Sequence, residues 1–168
     1  MIVLREGKFE DFEFYYNIKS EKSSVYWGGF DTKPSYEKLQ KYYRKLINGE
    51  INRKLYIMFA DTNPAGYLQL AKNAENKYEI SYGVSEKYRG NGYGSYIISY
   101  AKNIVANKNA YLIGYVREDN VASIKCFRKN GFRKSREYDE RYFEKDREFK
   151  KMNLWLWSSK MNEEDCLS

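Results

Sequence analysis

The stretch Tyr88-Arg89-Gly90-Asn91-Gly92-Tyr93-Gly94-Ser95 joins an alternating apolar run, Tyr78 to Val84, to a helical stripe through Ile97, Ile98, Ala101, Ile104 and Val105. It reads as a strand that turns into a helix through a backbone which glycines 90, 92 and 94 let curl tightly and leave uncovered. The amides of the helix start face whatever lies in the curl. The helix end adds partial positive charge and Arg89 a full one, so the loop reads as a cradle for a phosphate or pyrophosphate. A Walker loop would need Gly-Lys-Ser/Thr at its end, and a dinucleotide-binding loop a glycine where Ser95 stands. The pattern present is Arg-x-x-Gly-x-Gly, at Arg89, Gly92 and Gly94. Taken alone, it fits an anion site and a glycine turn capping a helix equally well.

The chemistry open to such a site is narrow, because the chain has no histidine and its only cysteines are Cys126 and Cys166. Ser-His-Asp and Cys-His nucleophiles are excluded, and no metal is expected. A general base must be Glu, Asp, Tyr, an amine or held water. Cys126, on an apolar helix face, reads as a small buried thiol. The 168 residues suit one domain, taken as 1–158 with a loose tail at 159–168. No apolar run is long enough for a bilayer and the start of the chain lacks a signal-peptide layout, so a cytoplasmic location is expected. A net charge of +7 and a pI near 9.2 admit two kinds of partner, nucleic acid or a phosphate-rich small molecule. The aromatic and basic mixtures at Tyr36 to Arg44 and Tyr138 to Arg147 also fit the half-buried faces of a helix and a hairpin, so nucleic acid ranks well below the small molecule.

Along the chain, Ile2 to Arg5 is a strand, with a helical stripe of Phe9, Phe12, Tyr16 and Ile18 after it. Glu21 to Thr32, with Ser23-Ser24, Tyr26-Trp27 and Gly28-Gly29, reads as a break. Pro34 opens a helix that Asn48-Gly49 closes. Leu55 to Ala60 and Gly66 to Ala71 form a hairpin about a turn at Asp61 to Ala65, and Lys72 to Asn76 is a polar turn. In the central strand Tyr78, Ile80, Tyr82 and Val84 face one way, Glu79, Ser81 and Gly83 the other. Gly83 inside a strand signals a bulge or a close backbone approach. The next helix runs from Gly92 to about Asn107, and Tyr111 to Val116 is the neighbouring strand. A helix capped by Asp119 or Asn120 runs through Arg128 to an Asn130-Gly131 exit. Phe132 to Phe143 and Phe149 to Trp157 pair around a charged turn near Lys145-Asp146.

Downstream of the glycine loop, Asn120, Ser123, Phe127, Gly131 and Phe132 form a second ordered pattern. With Arg89, Gly92 and Gly94 it resembles the GNAT superfamily of acetyl-CoA-dependent N-acetyltransferases, whose signatures are Arg/Gln-x-x-Gly-x-Gly/Ala and Asn-x-x-Ala/Ser-x-x-x-Tyr-x-x-x-Gly-Phe. The resemblance is strong over about Lys77 to Phe132; before that it is an order of elements. It implies an α/β fold of the α+β kind, a mixed and mostly antiparallel sheet flanked by helices, with a V-shaped cleft splayed open after the fourth strand. It implies acetyl-CoA as co-substrate, with the pyrophosphate on Arg89, Gly90, Asn91, Gly92, Tyr93, Gly94 and Ser95. Asn120, Ser123 and Phe127 then lie along the pantetheine arm, and the Val84 amide holds the thioester carbonyl after a bulge in the central strand. Glu79 is the carboxylate best placed as base, beside an equal reading as a salt-bridged strand residue. Phe127 stands where the family commonly has the tyrosine that protonates the leaving sulfur; Tyr82, Tyr138 and Tyr142 are its candidate replacements, behind a reading of each as core packing.

The acceptor is an amine. Tyr26, Trp27 and Tyr82 are candidate substrate contacts, and stacking on Tyr26 and Trp27 gives a small molecule such as an amino sugar or aminoglycoside a slight lead over a protein N-terminus or lysine. Trp27 reads as a movable lid or, slightly ahead of that, as an anchor for its loop. Cationic polyamines fit a basic protein only if the pocket itself is acidic. Two further readings stand beside these: a non-catalytic acyl-CoA-binding module that lost its acid at Phe127, and a basic nucleic-acid-binding domain. A homodimer is compatible with the sequence.

Overall fold

The computed structural model describes residues 1–73 and 76–161. β1 (Ile2–Glu6) leads into α1 (Phe12–Ser20), α2 (Lys22–Trp27) and α3 (Tyr36–Ile47), followed by β2 (Arg53–Ala60), β3 (Asn63–Lys72) and β4 (Lys77–Val84). Next come α4 (Tyr93–Ala106), β5 (Tyr111–Arg117), α5 (Val121–Lys129), β6 (Arg133–Phe143) and β7 (Glu148–Trp157). The strands form one seven-stranded sheet in the order β1-β2-β3-β4-β5-β7-β6. Every neighbouring pair is antiparallel except β4 with β5, which gives the mixed, mostly antiparallel sheet expected.

Alternation along the strands builds a core on each face. Tyr56, Met58, Leu68, Leu70, Ile80 and Leu112 pack against Ile97, Ile98, Ala101 and Val105 of α4 and Phe127 of α5. Burying Ile97 or Ile98, both at 0% exposure, is worth about 1.5–3 kcal/mol each, and this fixes α4 against the sheet. On the opposite face Leu55, Ile57 and Tyr67 meet Phe12, Tyr15 and Ile18 of α1 and Tyr43 and Leu46 of α3. Ser35 caps α3 by accepting from the Lys38 N–H at 3.3 Å.

Three expectations need correction. The break at Glu21 to Thr32 contains α2, a six-residue helix ended by Gly28-Gly29. Six residues do not hold a helix alone. Tertiary contacts do so here: the Glu21 carboxylate accepts from Ser85 Oγ at 2.6 Å and from the Glu86 N–H at 3.1 Å, and the Tyr26 hydroxyl donates to Asp146 at 2.9 Å. The hairpin turn is shorter than Asp61 to Ala65, because Asn63 and Pro64 already belong to β3; a register shift between Met58 and Phe59 accommodates them. And β4 carries no bulge. It pairs with β3 without interruption from Lys72↔Tyr78 to Gly66↔Val84. Gly83 answers instead to a close approach, since a Cβ there would lie 2.6 Å from the Tyr67 ring.

Of the expected tail, Ser159 hydrogen-bonds the carbonyl of Ala106 at the end of α4, at 3.2 Å. Residues 162–168, with Cys166, and residues 74 and 75 of the expected polar turn lie outside the described residues. Among the described residues, no helix is long and apolar enough to cross a membrane.

Candidate active site

β4 and β5 pair only at Lys77↔Tyr111, Tyr78↔Leu112 and Glu79↔Ile113, after which β5 continues on β7 alone. The strands part beyond Glu79 and a cavity of about 610 Å³ fills the opening. The Ser85 N–H donates to the Ala65 carbonyl at 2.9 Å. By the alternation of an antiparallel ladder, the main-chain groups of Tyr82 and Val84 therefore turn away from β3, toward the side that β5 has left. The Val84 carbonyl accepts from Arg89 Nε at 3.0 Å, and the Arg89 guanidinium also lies 3.7 Å from Glu21. Arg89 thus ties the loop to the strand end as well as lining the cavity.

The glycine loop is an open backbone cradle. Gly90 and Gly92 have φ of +81° and +77°, a conformation that side chains resist, and a Cβ at either would meet nothing within 4 Å. Gly92 is the residue from which α4 starts, so the amides of the first turn open onto this space. The Asn91 side-chain amide closes the curl by donating to the carbonyls of Tyr88 at 3.0 Å and Arg89 at 3.3 Å. Ser95 Oγ accepts from buried Asn130 at 3.0 Å, which joins α4 to the exit of α5. Arg89, Gly90, Gly92, Tyr93 and Gly94 line the cavity; Asn91 and Ser95 shape it from behind.

α5 forms the roof. Asn120 spends its side-chain oxygen on the Ser123 N–H at 3.3 Å, capping the helix and leaving its amide as the group that can donate to a ligand. The Tyr82 hydroxyl donates to Ser123 Oγ at 3.2 Å, and the Tyr82 ring meets Phe127 edge-on at 6.2 Å. Burial, then the neighbouring Cys126, raises the Tyr82 phenol above its ordinary range, so it stays protonated at neutral pH. Phe127 is only 3% exposed, and the far end of its ring lies 2.6 Å from where a Gly114 Cβ would be. The Phe127 ring thus fills the space that a side chain at Gly114 would need. Tyr138 and Tyr142, on β6, are exposed and do not line the cavity.

On the other face of the sheet the lining is made of side chains from distant segments, among them Lys19, Trp27, Tyr67, Glu79, Tyr115 and Arg117. Glu79 sits at the vertex, in the last β4–β5 pair, and among the described residues is the one carboxylate that lines the cavity. Burial, then the Glu79 charge, raises the Tyr115 phenol. Arg117, 5% exposed, donates to both Asp119 oxygens at 2.6 and 2.7 Å, to Asp146 at 3.3 Å and to the Tyr26 hydroxyl at 2.8 Å. Its guanidinium also lies 4.7 Å from the Trp27 ring centroid. Tyr26 is therefore an anchor that holds α2 to the β6–β7 turn, outside the cavity wall, while Trp27 lines the wall from the same anchored helix. Lys19 donates to the Tyr67 hydroxyl at 3.0 Å. Burial opposes its charge, yet the Tyr67 and Tyr15 groups around it more than offset that, and its pKa lies above the usual lysine value.

Lys19, Tyr67, Tyr115 and Arg117 went unread in the sequence. Arg117 leaves a faint trace as a charge closing an apolar strand ahead of Glu118-Asp119; Lys19, four residues after Tyr15 on an amphipathic helix, leaves none.

The sheet is opened at its one parallel pair, with a main-chain cradle shaped for an anion on one side and a carboxylate at the vertex. The family model described as "Acetyltransferase (GNAT) family" matches residues 13–132, and the chain belongs to that family. It is an acetyltransferase acting with acetyl-CoA, and the open cradle at Gly90 and Gly92 fits a pyrophosphate. No curated protein sequence matches the chain. Among solved structures it resembles a spermidine N-acetyltransferase from Vibrio cholerae, solved with CoA and spermine, at TM-score 0.81 and 16% identity over 93% of this chain and 94% of that one. A Salmonella typhimurium acetyltransferase that modifies the N-terminal serine of ribosomal protein L7/L12 superposes at TM-score 0.78 and 19% identity, covering 93% and 94%. A putative acetyltransferase from the same organism, solved with acetyl-CoA, gives 0.75 at 13% identity, covering 96% of each.

Proposed function

We propose that the chain transfers an acetyl group from acetyl-CoA to the primary amine of a small molecule, by direct attack within a ternary complex. The observation that carries this reading is a cavity running through the sheet from the glycine cradle to the α1 and α2 face, with Glu79 where the strands part. Bound acetyl-CoA supplies the thioester. Glu79 accepts the amine proton, directly or through a water, as the C–N bond forms. The amides of Tyr82 and Val84 stabilise the oxyanion, and the C–S bond then breaks to release coenzyme A. Tyr82 takes the part left open at Phe127. Its raised phenol is less acidic than a thiol of pKa near 8.5, so it serves as a hydrogen-bond donor to the departing sulfur, with the thiolate collecting its proton from solvent. Trp27, fixed by its anchored helix, offers a flat wall to the acceptor.

The test is release of free thiol from acetyl-CoA with a panel of amino sugars, aminoglycosides, polyamines, amino acids and N-terminal peptides, on the wild type and on Glu79→Gln. Release with one class of small amine, and a kcat lowered about 10²- to 10⁴-fold by Glu79→Gln with acetyl-CoA affinity kept, is the expected result. Saturable acetyl-CoA binding without release from any amine would instead make the chain a binding module.

A further inference from the structure

Among the described residues, those lining the cavity include five cations, Lys19, Arg89, Arg117, Lys125 and Arg141, against one carboxylate, Glu79. Most of these have other work or an open setting. Arg89 is bonded to the Val84 carbonyl, Arg117 is saturated by Asp119, Asp146 and Tyr26, and Lys125 stands on α5, on the donor side. Arg141 is exposed at the rim.

Lys19 differs from all four. It projects from α1 beneath α2, and its ammonium rests over the Tyr67 ring at 4.8 Å and near the Tyr15 ring at 5.7 Å. Its one hydrogen bond among the described residues goes to the Tyr67 hydroxyl, and no carboxylate there lies within ion-pair distance. Lys19 is half-buried at the cavity wall, and of the three donors of its ammonium the Tyr67 bond uses one, which leaves the others for a group in the cavity. The ammonium is held at the cavity wall on the same sheet face as Glu79. Tyr67, which carries it, packs on Gly83, four residues or about 13 Å along the strand from Glu79.

We infer that Lys19 is the anion-recognising group of the acceptor pocket, and that the acceptor is a small amine bearing a carboxylate or a phosphate-like group. The inference rests on the acetyltransferase reading for the amine but not for the anion. The amine lies toward Glu79 and its anionic group pairs with Lys19, with about the length of an amino acid or aminoalkyl phosphate between them. A polycation meets the opposite arrangement, because only Glu79 could balance it.

Two arms test this separately. In the first, acids without an amine, short-chain carboxylates and alkylphosphonates, are titrated calorimetrically into the protein saturated with coenzyme A, using wild type, Lys19→Met and Lys19→Arg. In the second, kcat/KM is measured by thiol release for matched pairs, amino acids against their amides and aminoalkylphosphonates against the corresponding amino alcohols, with spermidine beside them. The expected result is saturable anion binding that Lys19→Met removes and Lys19→Arg largely keeps, with acetyl-CoA affinity unchanged in both. The anionic member of a pair should be preferred about 10- to 100-fold, falling toward parity in Lys19→Met. Which pair turns over distinguishes carboxylate from phosphonate. Anion binding without turnover of any amine supports the anion site and overturns the acetyltransferase reading. Absence of anion binding, preference for spermidine, or a Lys19→Met loss that is equal for both members of every pair overturns the inference.

Discussion

Where α4 begins the cleft is walled by main chain, whereas on the α1 and α2 side it is walled by side chains. The wall proposed for the donor consists of the curl at Gly90 and Gly92, the first-turn amides of α4 and the turned-out amides of Tyr82 and Val84, all within fourteen consecutive residues, 82–95. The acceptor wall collects Lys19 from α1, Trp27 from α2, Tyr67 from β3 and Tyr115 from β5. A main-chain wall can serve one constant ligand, because amides are alike whatever the residue. A side-chain wall can be rebuilt one position at a time around a different acceptor.

The division should show itself in variants. The largest effect is expected at the donor wall from Gly92→Val. A φ of +77° costs a β-branched residue about 1–3 kcal/mol, and relaxing it turns amides out of the cradle. With about 1.5–3 kcal/mol per charged hydrogen bond lost, acetyl-CoA affinity should fall about 100-fold or more by calorimetry, while far-UV circular dichroism stays native. Unchanged affinity would mean the donor is held elsewhere. Next is Tyr82→Phe, at the junction of the walls. Losing one hydrogen bond to developing charge should lower kcat about 10- to 100-fold with little change in acetyl-CoA affinity. Because burial raises this phenol, the wild-type alkaline limb of kcat should lie above pH 10, the ordinary tyrosine value. A limb at or below pH 10 would remove Tyr82 from this role.

The smallest effect is expected from the pin beneath the acceptor wall. The Arg117 hydrogen bonds hold the Asp119 carboxyl below its usual range, so that contact stabilises the fold above the unfolded carboxyl's pKa of about 4. The contribution is lost only as the pH falls through the lower folded value. Asp119 is 62% exposed, so Asp119→Asn should cost no more than about 1 kcal/mol at pH 7 in urea unfolding, with the difference from wild type vanishing at strongly acid pH. A difference that grew on acidification would show another group to be responsible.

The same division explains what could be read without coordinates. The curl at Gly90 and Gly92 was legible because glycines at fixed spacing mark a backbone shape, and Asn120 marks a helix start by the same local logic. The strands and hairpins followed from alternation and turns, while the mixed sheet with its opening came from the family resemblance. α2 was missed because six residues containing Ser-Ser and ending in Gly-Gly are held by Asp146, Arg117 and Ser85, each more than fifty residues away. The bulge foreseen at Gly83 was misplaced because a strand glycine signals crowding without naming its cause, and here the cause is the Tyr67 ring across the ladder. Lys19 could not be told from the solvated lysines of any amphipathic helix, since its neighbours Tyr15 and Tyr67 are assembled only by folding.

One further consequence follows from the three residue pairs that join β4 to β5. The sheet is two antiparallel blocks, β1 to β4 and β5-β7-β6, sharing a short backbone seam, with α4 and α5 strapped over it. A ligand lying in the opening and bonding main chain on either side acts as the missing length of seam. Donor binding therefore reports on mechanical continuity as well as occupancy: the two blocks should melt as one unit at a temperature that climbs with the logarithm of donor concentration. Without donor, amide exchange along β4 should be fastest at Tyr82 and Val84, beside the open seam, and slowest where the strand is paired on both sides.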